Sequence, residues 1–273
     1  MKVVTLLDNK NDNNTLSSAH GLSLYIETGN KKILFDLGPN NYYQKNAKKL
    51  GVDLSEVDYL VISHGHYDHG TGIKKFLKMN KKAQVFISKR AFEDHVKSEG
   101  RQYEDIGLGK APKNDRINYI YRETFSITPN IRICDLVDYQ KPPIGDRNLM
   151  IYEDGQYIED HFHHEIYLIV TEGENNILFS GCSHKGIGNI VESVENNSKK
   201  FVSHIIGGLH FSHYDSFNLQ QTDYLQKIGD KFANEKDINV YACHCTGDDA
   251  FFELKQAMRS KLRRLKTGST IEI

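Results

Sequence analysis

A chain of 273 residues is long enough for one large domain or two small ones around a buried core. With 38% apolar residues, 26% charged residues and a formal net charge of -1, it lacks the basic excess of a nucleic-acid binder or a membrane-surface protein. No apolar stretch approaches the ~20 residues that cross a bilayer, the polar run after Leu7 is unlike a signal peptide, and four cysteines are too few for a disulfide scaffold, so the cytoplasm is the expected compartment.

In chain order, residues 3–8 (VVTLLD) read as a strand, followed by an Asn-rich loop to Ser18. Residues 22–27 and 32–36 read as paired strands across the turn signal Thr28-Gly29-Asn30. Residues 42–50 have helical character and stop at Gly51. The apolar, β-branched run Tyr59 to Ser63 is a buried strand that feeds into HGHYDHGTG, then into a short helix, IKKFLKM, and a strand at 83–88. Residues 90–165 are aromatic-rich and irregular, with strands expected near 117–121 and 131–136 and long loops elsewhere, which line a pocket. Beyond 165 the spacing predicts strands at 166–171, 176–180, 201–206 and 238–243 and helices at 188–196, 219–234 and 247–261. Two strand-rich halves, roughly 1–130 and 131–273, point to two packed sheets with helices outside, forming a single α/β domain over 1–273.

The 13 histidines cluster, three within 64–69 and three within 161–164. The informative string is Ser63-His64-Gly65-His66-Tyr67-Asp68-His69-Gly70, entered by a strand and left by a helix. Residues two apart in extended backbone point the same way, so His64 and His66 grip one ion from one face. Asp68 and His69 lie where the chain turns and serve a neighbouring position, and the glycines allow the tight backbone this needs. Two imidazoles for one metal, and a carboxylate plus an imidazole for a second, make a dinuclear centre. A His-rich surface loop would not combine these ligand types at this spacing in a strand-to-helix context.

This string resembles the His-x-His-x-Asp-His signature of the metallo-β-lactamase superfamily. The resemblance runs along nearly the whole chain: HGLSLYIE (20–27), ILFDLG (33–38), the signature at 64–69, ILFSGCSHKGIGN (177–189), GGLHF (207–211) and CHCTG (243–247). HGLS, GCSH and HCTG together resemble the dihydropterin-methyl-ribofuranosylaminobenzene 5′-phosphate synthase branch. The resemblance implies an αββα four-layer sandwich of two mixed sheets with helices outside, and a site that holds two divalent ions at one edge. Zinc is the first choice, with iron or manganese as alternatives.

Three more ligand positions follow. His244 ends the strand at 238–243 and shares a face with Ile238, Val240 and Ala242; by resemblance it is the last ligand, on the second metal. Cys182 stands where most members carry a bridging Asp; it is either a thiolate ligand or a small buried residue. His184 is preferred as the third imidazole of the first metal over its rival, the cluster His161, His163 and His164, whose plain reading is a solvated loop or pocket rim. His210 is a proton donor or substrate contact, or else a structural histidine. His20 and Lys185 are candidate substrate contacts, the latter beside a helix N-terminus that favours anions. Asp36 is expected to orient a ligand histidine, and Cys243 and Cys245 are expected to pack away from His244.

The expected function is a metal-dependent hydrolase or transferase. Its dinuclear centre acidifies water, Asp68 relays the proton and His210 assists the leaving group. The substrate expected from the branch is a phosphorylated small molecule of pterin- or ribosyl-phosphate type, with neither nucleic acid nor membrane as partner. An iron-dependent oxidoreductase of the same fold and a non-catalytic metal or nucleotide binder are the alternatives.

Overall fold

The structure, a computed structural model, describes all residues except 141, 143–147 and 213–216. It divides into two compact units, Met1–Tyr121 with Arg147–Ile166 and Lys266–Ile273, and Arg122–Asp146 with Tyr167–Leu265. The fold class is α/β with two mixed sheets and helices, as expected, with a third, smaller sheet in addition.

In the first unit a seven-stranded sheet runs in the order Thr270–Glu272, Lys2–Leu7, Ser23–Thr28, Lys31–Phe35, Tyr59–Ile62, Gln84–Ser88, Ile117–Ile120. The hairpin pairs Thr28 with Lys31, and from Lys31–Phe35 onward the neighbours are parallel. Leu60, Val61 and Ile62 are fully buried, which is why this strand reads as a continuous apolar run: parallel strands are covered on both faces. The helices Tyr42–Lys49 and Ile73–Met79 add Tyr43, Ala47, Ile73 and Phe76 to a core shared with Leu34, Leu60, Ile62 and Val85. Burying a side chain such as Phe76 contributes about 1.5–3 kcal/mol.

The stretch read as long loops contains a four-stranded antiparallel sheet, Gln156–Glu159, Leu149–Glu153, His95–Glu99 and Gln102–Asp105. Its strands are short, every residue of Gln102–Asp105 faces water, and His95, Val96, Leu149 and Ile151 alone are buried, so the apolar pattern is faint. Tyr103 and Tyr157 pack against each other, with ring centroids 4.3 Å apart and planes tilted by 32°.

The second unit is a seven-stranded sheet in the order Leu262–Arg264, Asn239–Ala242, His204–Gly207, Asn175–Ser180, Tyr167–Glu172, Ile131–Cys134, Thr124–Thr128. The helices Ile187–Ser198, Leu219–Asp230 and Asp248–Met258 pack Ile190, Val191, Val194, Leu225, Ile228 and Leu254 into its core. Leu219–Asp230 starts with a capping box, Asn218 accepting from the Gln221 N–H while Gln221 accepts from the Asn218 N–H. The strand expected from Phe201 begins at His204; Phe201 is 82% exposed and belongs to the link out of the preceding helix.

Each seven-stranded sheet has a run of parallel strands, and in such sheets ligands gather beyond the strands' carboxyl ends. Those ends lead to Asp36, Ser63 and Lys89 in the first unit and to Gly181, Gly208 and Cys243 in the second.

Candidate metal centre

In the first unit the chain leaves Tyr59–Ile62 through Ser63, His64, Gly65 and His66 and enters the helical turn Tyr67–Gly70. His64 and His69 are 0% exposed, and His66 and Asp68 are 5% exposed. The ring centroids of His64 lie 4.6 Å from His66 and 4.1 Å from His69, and His69 Nε2 is 3.5 Å from Asp68 Oδ2. The signature residues therefore converge. Gly65 is required by space: a Cβ there would stand 2.6 Å from both Ala91 O and His95 Nε2.

Asp36, at the end of Lys31–Phe35, sits at φ 61, a conformation that costs a non-glycine residue energy and is retained where the surroundings demand it. Its Oδ2 accepts from His69 Nδ1 at 2.6 Å and from Ser63 Oγ at 2.8 Å, and its Oδ1 accepts from Ser63 N–H at 2.7 Å. Ser63 Oγ lies 2.8 Å from His64 Nδ1. Because the Ser63 hydroxyl proton goes to Asp36, His64 must donate from Nδ1. Both His64 and His69 are thus protonated on Nδ1 and carry their lone pair on Nε2, the tautomer that a buried carboxylate imposes on metal-binding histidines. His20 reaches the same place, with Nε2 3.2 Å from Asp68 Oδ2 and Nδ1 3.2 Å from Asn9 Nδ2.

A second network supports the signature and has no motif of its own. The Gly65 N–H donates to His164 Nδ1 at 2.9 Å, so the His164 proton is on Nε2, which donates to Asp160 Oδ2 at 3.0 Å. His95 Nδ1 donates to the same oxygen at 3.2 Å, and the Phe162 N–H donates to Asp160 Oδ1 at 2.6 Å. Burial alone would raise Asp160, but the imidazoles of His164 and His95 that donate to it hold it well below the usual carboxylate range. Donor atoms of His66, His95, Asp160 and His164 lie within 4.8 Å of one another, a grouping that could hold a metal. Both ring nitrogens of His164 are nevertheless spent on Gly65 and Asp160, so it braces the signature backbone; His161 is exposed and His163 half-buried.

Burial drives the His64 and His66 imidazoles well below their ordinary value of 6.5, reinforced by His69, His66 and His164 around the former and by His164 and His95 around the latter. Neutral imidazoles with Nε2 lone pairs beside a carboxylate are a donor set that fits a divalent cation. The folded, metal-free chain resists protonating these rings, whereas the unfolded chain protonates them near 6.5, so unfolding takes up protons and acid favours it. Stability of the metal-free chain should therefore hold above 6.5 and fall below it, by up to about 1.4 kcal/mol per pH unit for each of the two histidines. Urea unfolding between about pH 7.5 and 5 checks this.

The second unit carries the other candidates past the ends of three adjacent parallel strands. Cys182, His184 and Lys185 follow Asn175–Ser180, His210 follows His204–Gly207, and His244 follows Asn239–Ala242. All are buried, none above 7% exposed. The His184 and His210 ring centroids are 4.1 Å apart. His244 lies in the tight turn His244–Thr246 at φ 47, beyond the strand, so the face expected to be shared with Ile238, Val240 and Ala242 stops at Ala242. That turn also brings Cys245, expected as packing, into a group with Cys182 and His210 whose donor atoms lie within 4.8 Å of one another. Burial would raise the Cys245 thiol, but hydrogen bonding with Cys182, the charge of His244 and contact with His210 hold it well below its usual range. Lys185, expected as a substrate contact beside a helix N-terminus, is 1% exposed. Its charge acts on Asp135, which burial pushes up to about 6 against a hydrogen bond from the Arg122 N–H and the pull of Lys185.

Fold and donor sets together define an α/β protein whose buried histidines, carboxylates and thiols could bind metal. The chain belongs to the metallo-β-lactamase superfamily, whose model matches residues 19–231. It is 31% identical to uncharacterized protein MJ0448 of Methanocaldococcus jannaschii, over 87% of this chain and 88% of that one. It is 28% identical to the 7,8-dihydropterin-6-methyl-4-(beta-D-ribofuranosyl)-aminobenzene-5′-phosphate synthase of the same organism, over 100% and 96% of the two chains. The crystal structure of Tm1679, a metal-dependent hydrolase of the β-lactamase superfamily, matches with a TM-score of 0.80 and 27% identity, over 100% of this chain and 99% of that one. Among the described residues, no helix is long and apolar enough to cross a membrane.

Proposed function

We propose that the protein is a metal-dependent hydrolase or transferase that uses a dinuclear centre on a phosphorylated small molecule, with zinc as the preferred metal. The observation that carries this reading is the Asp36–His69 and Ser63–His64 hydrogen bonding, which fixes buried imidazoles in the ligand tautomer beside Asp68. His64, His66, Asp68 and His69 hold the cations; His184 and His244 are proposed as further ligands on the order of the family's motifs alone. A bound divalent cation supplies Lewis-acid chemistry, making water nucleophilic near neutral pH and polarising a carbonyl or phosphoryl oxygen. Asp68 takes up the proton released in the reaction. His20, which touches Asp68 and is half exposed on its side chain, meets the substrate and passes that proton to solvent. Lys185 supplies fixed positive charge for a phosphate at the start of the helix Ile187–Ser198. The phosphorylated substrate class is taken from the printed name of the synthase relative.

The test is a screen of zinc-loaded protein on phosphomonoesters, phosphodiesters, lactones and acyl thioesters, repeated after chelation and after zinc is restored. Phosphoester turnover that disappears on chelation and returns with zinc is the expected result. Turnover that survives chelation would refute the metal dependence, and turnover confined to unphosphorylated compounds would refute the substrate class.

A further inference from the structure

We propose that Cys182, His210 and Cys245 form a mononuclear site for a thiophilic cation such as zinc, drawing no ligand from the signature. Two sulfurs and a ring nitrogen lie within 4.8 Å of one another, on side chains that are 3%, 6% and 2% exposed. Around a tetrahedral zinc, with Zn–S about 2.3 Å and Zn–N about 2.0–2.1 Å, such atoms stand about 3.5–3.8 Å apart, so the three need to close by about 1.3 Å at most. Thiolate and imidazole together select zinc over magnesium or calcium, and three protein ligands leave the fourth position open to water or a small ligand.

The second unit builds this cluster deliberately. Each donor comes from a different parallel strand: Asn175–Ser180 leads to Cys182, His204–Gly207 to His210, and Asn239–Ala242 to Cys245. Backbone hydrogen bonds lock the three connections together, from Gly208 N–H to Gly181 O at 3.0 Å and from Phe211 N–H and Ser212 N–H to Cys245 O at 2.9 and 3.0 Å. Gly207 and Gly208 permit this approach. A Cβ on Gly207 would fall 1.8 Å from Ser180 O, and one on Gly208 would fall 2.5 Å from Cys245 Sγ, so the sulfur fills space that any other residue would close. His210 is held at φ 55, a strained position for a residue that only fills a core. The assignment takes Cys182 out of the ligand set expected for the dinuclear centre and replaces the expected proton-donor role of His210 and the expected packing role of Cys245. It does not depend on the proposed reaction.

The site is tested with cobalt(II) added to the metal-free full chain, read by the near-ultraviolet thiolate-to-cobalt charge-transfer band. Wild type and His66→Ala should both show the band, Cys182→Ser and Cys245→Ser should each lose about half of it, and His210→Ala should weaken cobalt binding about tenfold or more. No band, a band untouched by Cys245→Ser, or unchanged affinity in His210→Ala would overturn the site. A band lost in His66→Ala would assign the sulfur ligation to the signature's own centre and overturn it equally. Zinc-edge X-ray absorption of the His66→Ala chain, with its cysteines intact, needs no change within the cluster: about two sulfur neighbours per zinc are expected, and one or none refutes the proposal.

Discussion

Replacing His66 with alanine is expected to lower metal affinity at the signature, and any turnover that depends on it, by at least about 100-fold, since even partners one step removed from a metal typically cost 10–100-fold when changed. His66 is 5% exposed, with its ring 4.6 Å from that of His64, and it caps the turn Tyr67–Gly70 in extended conformation with φ -86 and ψ 147. Its main-chain role therefore survives the substitution, because the Tyr67 N–H still donates to Ile106 O at 2.8 Å and no side-chain cap is lost. Competition against a chelator of known affinity, with metal counted per chain, separates lost ligation from lost fold. An alanine variant that keeps wild-type stoichiometry and affinity would remove His66 from the ligand set and, with it, the reading of the signature as a metal grip.

Asp160→Ala should destabilise the protein by about 3–5 kcal/mol, because the carboxylate accepts from His95, His164 and the Phe162 N–H in a buried setting, and removing one member of such a network leaves the others unpaired. Asp160→Asn retains shape and one acceptor and should cost less, about 1.5–3 kcal/mol. The same change should loosen the hold of His164 on the Gly65 N–H, so metal affinity at the signature should fall alongside stability. Guanidinium unfolding of the metal-free and zinc-loaded forms reads both effects. A loss under 1 kcal/mol for the alanine variant, within the range of ordinary surface changes, would mean that water takes over the role of Asp160.

What could be read without coordinates follows how the chemistry is spread along the chain. The signature was legible because strand, histidines and turn occupy one contiguous stretch with recognisable periodicities, and Asp36 because it ends an apolar strand of the same sheet. The Asp160–His164–Gly65 connection was not, since His164 and Gly65 are 99 positions apart and His95 and Asp160 are 65 apart. Its only local trace was an acidic residue directly before the histidines at 161–164. The four-stranded sheet escaped because its buried residues, His95, Val96, Leu149 and Ile151, are few and scattered among exposed positions. The placing of His244 was missed for a geometric reason: strand alternation was carried past Ala242, where a turn at φ 47 ends it.

The separation of Gly65 from its brace also bears on how the protein matures on the ribosome. At about 5–20 residues per second, the 99 positions between them take roughly 5–20 s to translate. Throughout that interval the nascent histidine loop exists without the group that steadies its main chain. Cation uptake should accordingly lag synthesis of the loop itself, and a pause engineered between codons 70 and 160 would lengthen the period in which these imidazoles are open to adventitious metals.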